Sequence, residues 1–205
     1  MTILSAGFYR REDTVQIAKE LLGKVIITEF NGLRTSARIV ETEAYKAPED
    51  KACHAYLNRN TKRTSTMFLP GGVAYIYLCY GIHHLFNVVT GPEGAAHAVL
   101  IRAVEPITGI ETMLQRRGLE KLKPQLSAGP GVMSKALGIE KQYDAISLTA
   151  PAGLIRIADA PDLADSEIIA GPRVGIDYAE ECVDWPWRFY QRDSRWVSKT
   201  RKKKL

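Results

Sequence analysis

Two β-rich runs, Lys24 to Phe30 (KVIITEF) and Leu33 to Tyr45 (LRTSARIVETEAY), meet at the dipeptide Asn31-Gly32. A two-residue turn between right-twisted strands needs positive φ at both central positions, and Asn followed by Gly adopts that geometry at the least cost. The spacing therefore predicts a β-hairpin whose second arm ends at Tyr45, before Pro48. A long hairpin commits the chain to an antiparallel ladder, and the segments on either side must pack on it.

Before the hairpin, Glu12 to Leu22 places Val15, Ala18, Leu21 and Leu22 on one helical face, with Asp13 or Thr14 as cap and Gly23 as stop. After it, Ala47 to Pro70 is polar and irregular with few apolar anchors, and reads as a long surface loop of the kind that carries function. Val73–Tyr80, Leu85–Thr90 and Ala98–Val104 read as strands, the last buried on both faces apart from Arg102. Thr108–Arg117 reads as a helix stopped by Gly118, and Ser127–Ile139 as a short helix opened by Pro130 and closed by Gly138. Gly153–Ala158, Arg173–Ile176 and Trp187–Gln191 complete the expected strands. Strands that succeed one another without helical crossovers imply an antiparallel, mixed α/β (α+β) fold with a few flanking helices. The 205 residues suit one domain, over 1–198, followed by a basic tail, 199–205.

Net charge is +5, from 28 Lys and Arg against 23 Asp and Glu, but the tail KTRKKKL holds five of the basic groups. The body is balanced. A nucleic-acid partner would then have to be attracted by local placement, such as a face built from Lys51, Arg59, Lys62, Arg63, Arg102 and Arg192 or Arg195, with the tail adding salt-dependent attraction. No apolar run approaches the 18 or so residues of a membrane span, and the N-terminus lacks a signal core, so the expectation is a soluble, cytoplasmic protein, associated with the nucleoid in a bacterium or nuclear in a eukaryote. Cys53, Cys79 and Cys182 are widely spaced and fit reduced thiols.

Two segments could carry chemistry. In Ile39–Tyr45 (IVETEAY), Glu41, Glu43 and Tyr45 project to one face of a strand, either as a solvated edge or as the mouth of a site. In Gly71–Asn87, Tyr75 and Tyr77 share a face and Tyr80 precedes a glycine turn; such tyrosines serve a core, or a pocket for a planar heterocycle. Cys79, His83 and His84 have no metal motif around them. Gly129-Pro130-Gly131 reads as a helix start that could contact phosphate.

Taken in order, RIVETEAY (Arg38–Tyr45), ACH (Ala52–His54), MFLPGGVAYIYLCYG (Met67–Gly81), Asn87, AVLIRAVEP (Ala98–Pro106), GPRVGI (Gly171–Ile176) and WRFYQRDSRWVS (Trp187–Ser198) resemble the 3-methyladenine DNA glycosylases of the alkyladenine (methylpurine) type, across nearly the whole chain. The resemblance implies a curved antiparallel sheet like an open barrel, similar to a formyltransferase C-terminal domain, with no metal and no cofactor. It implies hydrolysis of the N-glycosidic bond of 3-methyladenine and 7-methylguanine, and in some members of hypoxanthine and ethenoadenine, in double-stranded DNA, by a monomer.

Carried across by motif, Glu43 matches the general base that activates water. Tyr45, His54 and Tyr77 match the groups that sandwich and hydrogen-bond the extruded base, and Asn87 the residue closing one side of the pocket. Tyr80 matches the aromatic wedge that enters the duplex, and Arg102 the arginine near the nucleotide's phosphate and water. No lysine in these motifs is placed to form a Schiff base, which implies hydrolysis without strand cleavage. Val132 stands where the family has a basic residue after the second glycine, and Lys46 adds a charge beside Tyr45. The rival readings are a non-catalytic binder of an unstacked base and a formyl-transfer enzyme sharing the open barrel.

Overall fold

A computed structural model describes residues 1–199. The chain folds as α1 (Ala6–Tyr9), α2 (Thr14–Glu20), β1 (Val25–Phe30), β2 (Leu33–Lys46), β3 (Ala74–Cys79), β4 (His83–Thr90), β5 (His97–Thr108), α3 (Ile110–Arg117), α4 (Pro130–Leu137), β6 (Ile155–Ala158), β7 (Ile168–Gly171) and β8 (Arg188–Gln191). The basic tail beyond Lys199 lies outside the described residues.

The hairpin forms as the Asn-Gly pair requires. Asn31 and Gly32 have φ of 52° and 74°, and β1 pairs β2 from Phe30–Leu33 to Val25–Arg38. The eight strands make one antiparallel sheet in the order β3-β4-β5-β2-β1-β6, with β8 pairing β2 and β7. It stays open and does not close into a barrel. β2 is 14 residues long and β1 covers only its first part, so β8 takes the same side farther along, pairing Glu41–Glu43.

Helices cover one face of this sheet. Asp13 caps α2 by accepting from Gln16 N–H at 2.8 Å, and Ile17, Ala18, Leu21 and Leu22 are buried against Ile39, Val40 and Ile101 in the main core. Such a cap contributes ~1 kcal/mol. Thr42 Oγ1 donates to Ala18 O across that contact. α4 runs from Pro130 to a left-handed Gly138, and its Met133, Ala136 and Leu137 complete the core.

Two expectations need correction. Arg173–Ile176 is not a strand; the strand lies earlier, at Ile168–Gly171, where it pairs β8. Val174 spends its N–H on a side chain rather than a ladder, and Gly175 has a φ of +77°. Ala47–Pro70 is not weakly anchored: Ala47, Cys53, Ala55 and Met67 are buried in a second core with Tyr75, Val89 and Ala98, and Asp50 is wholly buried. Alanine and cysteine carry little apolar weight in a sequence pattern, yet they fit where bulkier groups would not. Among the described residues no helix is long and apolar enough to cross a membrane.

Candidate active site

Sheet register brings the polar face of β2 into the middle of the molecule. Against β5, Ile39 pairs Val104, Glu41 pairs Ala103 and Thr42 pairs Ile101, which leaves Arg102 unmatched at a bulge. Bulges redirect a side chain, and Arg102 turns onto the face that carries Glu41 and Glu43. Its Nε donates to Glu41 Oε1 at 2.9 Å, and its Nη1 lies 3.2 Å from Glu43 Oε2. On the other flank β8 sets Tyr190 opposite Glu41 and Arg188 opposite Glu43. The face is thus interior rather than a solvated edge, and both glutamate side chains are fully buried.

The two carboxyl groups are held differently. Glu41 Oε1 accepts from Arg102, from Arg188 Nε at 2.7 Å and from Ser198 Oγ at 2.8 Å, while Oε2 accepts from Ser198 N–H at 2.7 Å. Burial works against its ionisation, but the two guanidiniums and the Ser198 bonds outweigh that and hold its carboxyl below the usual carboxylate range. Glu43 instead accepts from Val174 N–H on Oε1 at 2.8 Å and from the Tyr45 hydroxyl on Oε2 at 2.7 Å. Burial, then the neighbouring Glu43, push the Tyr45 phenol well above its ordinary pKa, so it is a neutral donor.

A cavity of about 500 Å³ opens beside this pair, lined by Tyr45, His54, Tyr77, Asn87, Arg102 and Val174 among others. Glu43 does not itself form the wall; the three groups that hold its oxygens do. Tyr77 packs edge-on to His54 with centroids 4.6 Å apart and lies 5.5 Å from Tyr75. Tyr75 Oη and His54 Nδ1 share a hydrogen bond of 2.9 Å. Asn87 is buried opposite Tyr75 in the β3–β4 ladder and donates to Tyr75 O at 3.0 Å. Burial, then the charge of Arg63, lower the His54 pKa to about 4, so the ring is neutral at pH 7.

Tyr80 stands at the rim of the cavity, on the β3–β4 turn, with φ of +51° and 92% of its surface exposed. A non-glycine residue in that region costs ~1–2 kcal/mol. Leu78 and Ile82 are exposed beside it. The turn thus presents a strained, largely apolar tip to solvent.

Several participants carry no signal of their own in the sequence. Arg173 and Asp50 form a wholly buried bidentate pair, with Arg173 Nη2 to Asp50 Oδ1 at 2.7 Å, and the Arg173 guanidinium lies 4.8 Å from the Tyr45 ring centre. This pair ties the loop after β2 to the segment that delivers Val174. Their separation of 123 residues leaves no local signal. Arg188 and Ser198 are likewise visible only as parts of longer motifs.

The expected basic face is only partly available. Lys51 is bound to Glu180 and Glu181, Arg192 Nε donates to Ser166 O, and Arg102 is buried against the two glutamates rather than offered at the surface. Arg59, Lys62, Arg63 and Arg195 remain exposed.

The family model for methylpurine-DNA glycosylase matches residues 7–195. Proteins of Chlamydia pneumoniae and Chlamydia abortus are 49% and 48% identical over 188 residues, covering 91% of this chain and 94% and 97% of theirs. One from Natranaerobius thermophilus is 46% identical over 196 residues, covering 95% of this chain and 98% of its own. Each is provisionally named a 3-methyladenine DNA glycosylase. With this likeness running the length of the fold, the chain belongs to the methylpurine-DNA glycosylase family and is a DNA glycosylase, a hydrolase of DNA repair.

Proposed function

We propose that the protein extrudes damaged purines from duplex DNA into the 500 Å³ cavity and hydrolyses their N-glycosidic bond with a water activated by Glu43, leaving an abasic site. The substrates are 3-methyladenine and 7-methylguanine, with hypoxanthine and ethenoadenine as uncharged ones. The observation that carries this reading is the convergence of Tyr45, Arg102 and Val174, which hold the Glu43 carboxylate, on the wall of an aromatic cavity with Tyr80 at its rim.

A base within a duplex is out of reach, and turning it out costs a few kcal/mol, least where pairing is already damaged. Tyr80 fills the gap that the nucleotide leaves. His54, Tyr77 and Tyr45 supply planar faces for the base, worth ~1–3 kcal/mol for each stacked contact, and Asn87 bounds the site. Cleavage passes through a sugar with positive charge at C1′, which a carboxylate stabilises while it takes a proton from the attacking water. The electron pair of the broken bond leaves with the purine. To reach Glu43 the water displaces the Tyr45 hydroxyl from Oε2, the one partner that is neither a fixed backbone group nor a charged one.

Arg102 serves as the counter-charge that orients Glu43, and from the cavity wall it stands near the attacking water and the nucleotide's phosphate. An alkylated purine is a cation and leaves without help, so one free carboxylate suffices. Among the described residues no lysine lines the cavity to form a Schiff base, and the product is an unbroken abasic strand. The protein acts as a monomer, to be checked by light scattering in solution.

The test is incubation with duplexes bearing 7-methylguanine, hypoxanthine or ethenoadenine, with subsequent assay of abasic sites. Glu43→Gln is expected to retain binding to these duplexes and to lose base release by about 10²–10⁴-fold. Near-normal release by that variant would overturn the mechanism, and an adduct trapped by borohydride would overturn the absence of lyase chemistry.

A further inference from the structure

The charges around the cavity cancel, with one exception. Arg102 and Arg188 face Glu41 and Glu43, and Arg173 faces Asp50. Arg63 also lines the cavity, exposed at its mouth on the loop between β2 and β3, where its close contacts are the rings of Tyr77 and His54. Its guanidinium sits 5.3 Å from the centre of the Tyr77 ring, and its Nη2 lies 3.3 Å from His54 Nε2. A guanidinium can only donate, so Nε2 of His54 is an acceptor and its proton is on Nδ1, directed to Tyr75 Oη. The mouth of the pocket therefore carries a positive charge beside its stacking wall, held against the Tyr77 ring on one side and a neutral imidazole on the other.

That charge acts in opposite directions on the two kinds of purine. A base made cationic by alkylation is repelled by it, and such a base is already a good leaving group. An uncharged base presents an oxygen or an unprotonated nitrogen, to which a guanidinium forms a charge-assisted hydrogen bond. It also departs with the electron pair of the glycosidic bond, and a cation at its acceptor stabilises the negative charge that develops there. Glu41 cannot supply a proton for this, because both its oxygens are occupied and Arg102 and Arg188 keep it ionised. Among the described residues no carboxylic acid lines the cavity to serve a neutral leaving group, and Arg63 is an electrophile that does line it.

We propose that Arg63 determines lesion preference, hydrogen-bonding an acceptor on uncharged purines and supporting their departure while disfavouring purines that are already cationic. The proposal rests on the glycosylase reading of the cavity. Atoms and charge balance with water alone: its hydroxyl adds to C1′, its proton passes through Glu43, and the departing purine takes up a proton from solvent while Arg63 keeps its own.

The test compares single-turnover release of hypoxanthine, ethenoadenine and 7-methylguanine from otherwise identical duplexes by the full-length protein, Arg63→Gln and Arg63→Lys. Arg63→Gln is expected to slow hypoxanthine and ethenoadenine by about tenfold or more, the loss of one charge-assisted hydrogen bond, and to speed 7-methylguanine. Arg63→Lys, which keeps the charge but not the planar fork, should fall between them and restore the bias against 7-methylguanine. Equal loss on all three lesions, with a shallower salt dependence of binding, would overturn the proposal and make Arg63 a phosphate contact; unchanged ratios would overturn it too. Failure of the unsubstituted protein to release any of the three would instead overturn the glycosylase reading on which it rests.

Discussion

Val174 N–H donates to Glu43 Oε1 at 2.8 Å, joining two residues 131 positions apart in the chain. The bond fixes one oxygen of the carboxylate with a backbone group that cannot rotate away, while the other oxygen accepts from the Tyr45 hydroxyl. Val174→Pro removes this donor while retaining an apolar side chain of similar bulk. Base release should fall by about 10²–10³-fold, in the range found when one preorganised donor is lost, with affinity for damaged duplex changed far less. Single-turnover rates alongside equilibrium binding check the split; equal losses in both would show that the bond serves only to close the segment.

Glu41 and Glu43 share a strand face but are held by different partners, and stability is expected to separate them. Glu41→Gln leaves Arg102 and Arg188 buried without their common counter-charge, a defect of about 3–5 kcal/mol. For a chain of this size that is a fall in Tm of about 10 °C. Glu43→Gln keeps the packing and disturbs one guanidinium, so its Tm should fall by less than half as much. Calorimetry of the two variants decides it, and equal shifts would contradict the division into a structural and a chemical carboxylate.

How much of the fold and the site is legible in the sequence depends on the range of the interactions. Asn31-Gly32, Asp13, Gly118 and Gly138 act on their immediate neighbours, and the hairpin and helix ends lie where those residues place them. Alternation along Ile39–Tyr45 likewise puts Glu41, Glu43 and Tyr45 on one face. What no local pattern carries is the cover on that face, because β8 arrives from the far end of the chain and Arg102 turns inward only at a bulge. Val174 reads as a strand residue since β-branched residues favour strands, and the lost ladder bond becomes visible only when its acceptor, Glu43, is in place. Asp50 and Arg63 sit in a polar loop whose order depends on small buried residues, and composition alone does not tell such a loop from a solvated one.

Tyr80 contributes little to the fold and should be dispensable for it. With 92% of its surface exposed and φ at +51°, Tyr80→Ser removes an unsupported ring, and Tm should move by no more than about 1–2 °C for a surface substitution. With Tyr80 as the proposed wedge, affinity for lesion-bearing duplex should drop by about tenfold or more in this variant. Gel-shift titration gives the affinity and a thermal scan gives the control. Retained affinity would remove Tyr80 from the duplex interface.

The acid limb of stability gives the last test, through His54. Its pKa falls from an ordinary 6.5 to about 4 because the ring is buried and Arg63 is adjacent. The unfolded chain therefore binds the proton first as pH drops, and between pH 6.5 and pH 4 it holds more protons than the native state. Stability from this group is complete above pH 6.5 and declines as pH falls through the window. Tyr75 and Tyr77, the other rings against His54, stay neutral throughout, since burial raises their pKa values. Between pH 7 and pH 5 the loss should approach ~2 kcal/mol at most, reduced by the part of the ring that water reaches. His54→Gln cannot titrate, so it should start lower at pH 7 for want of the Tyr75 bond yet lose less over the same interval. Urea midpoints of both proteins at the two pH values measure this, and parallel decline would mean that the native ring takes up its proton freely.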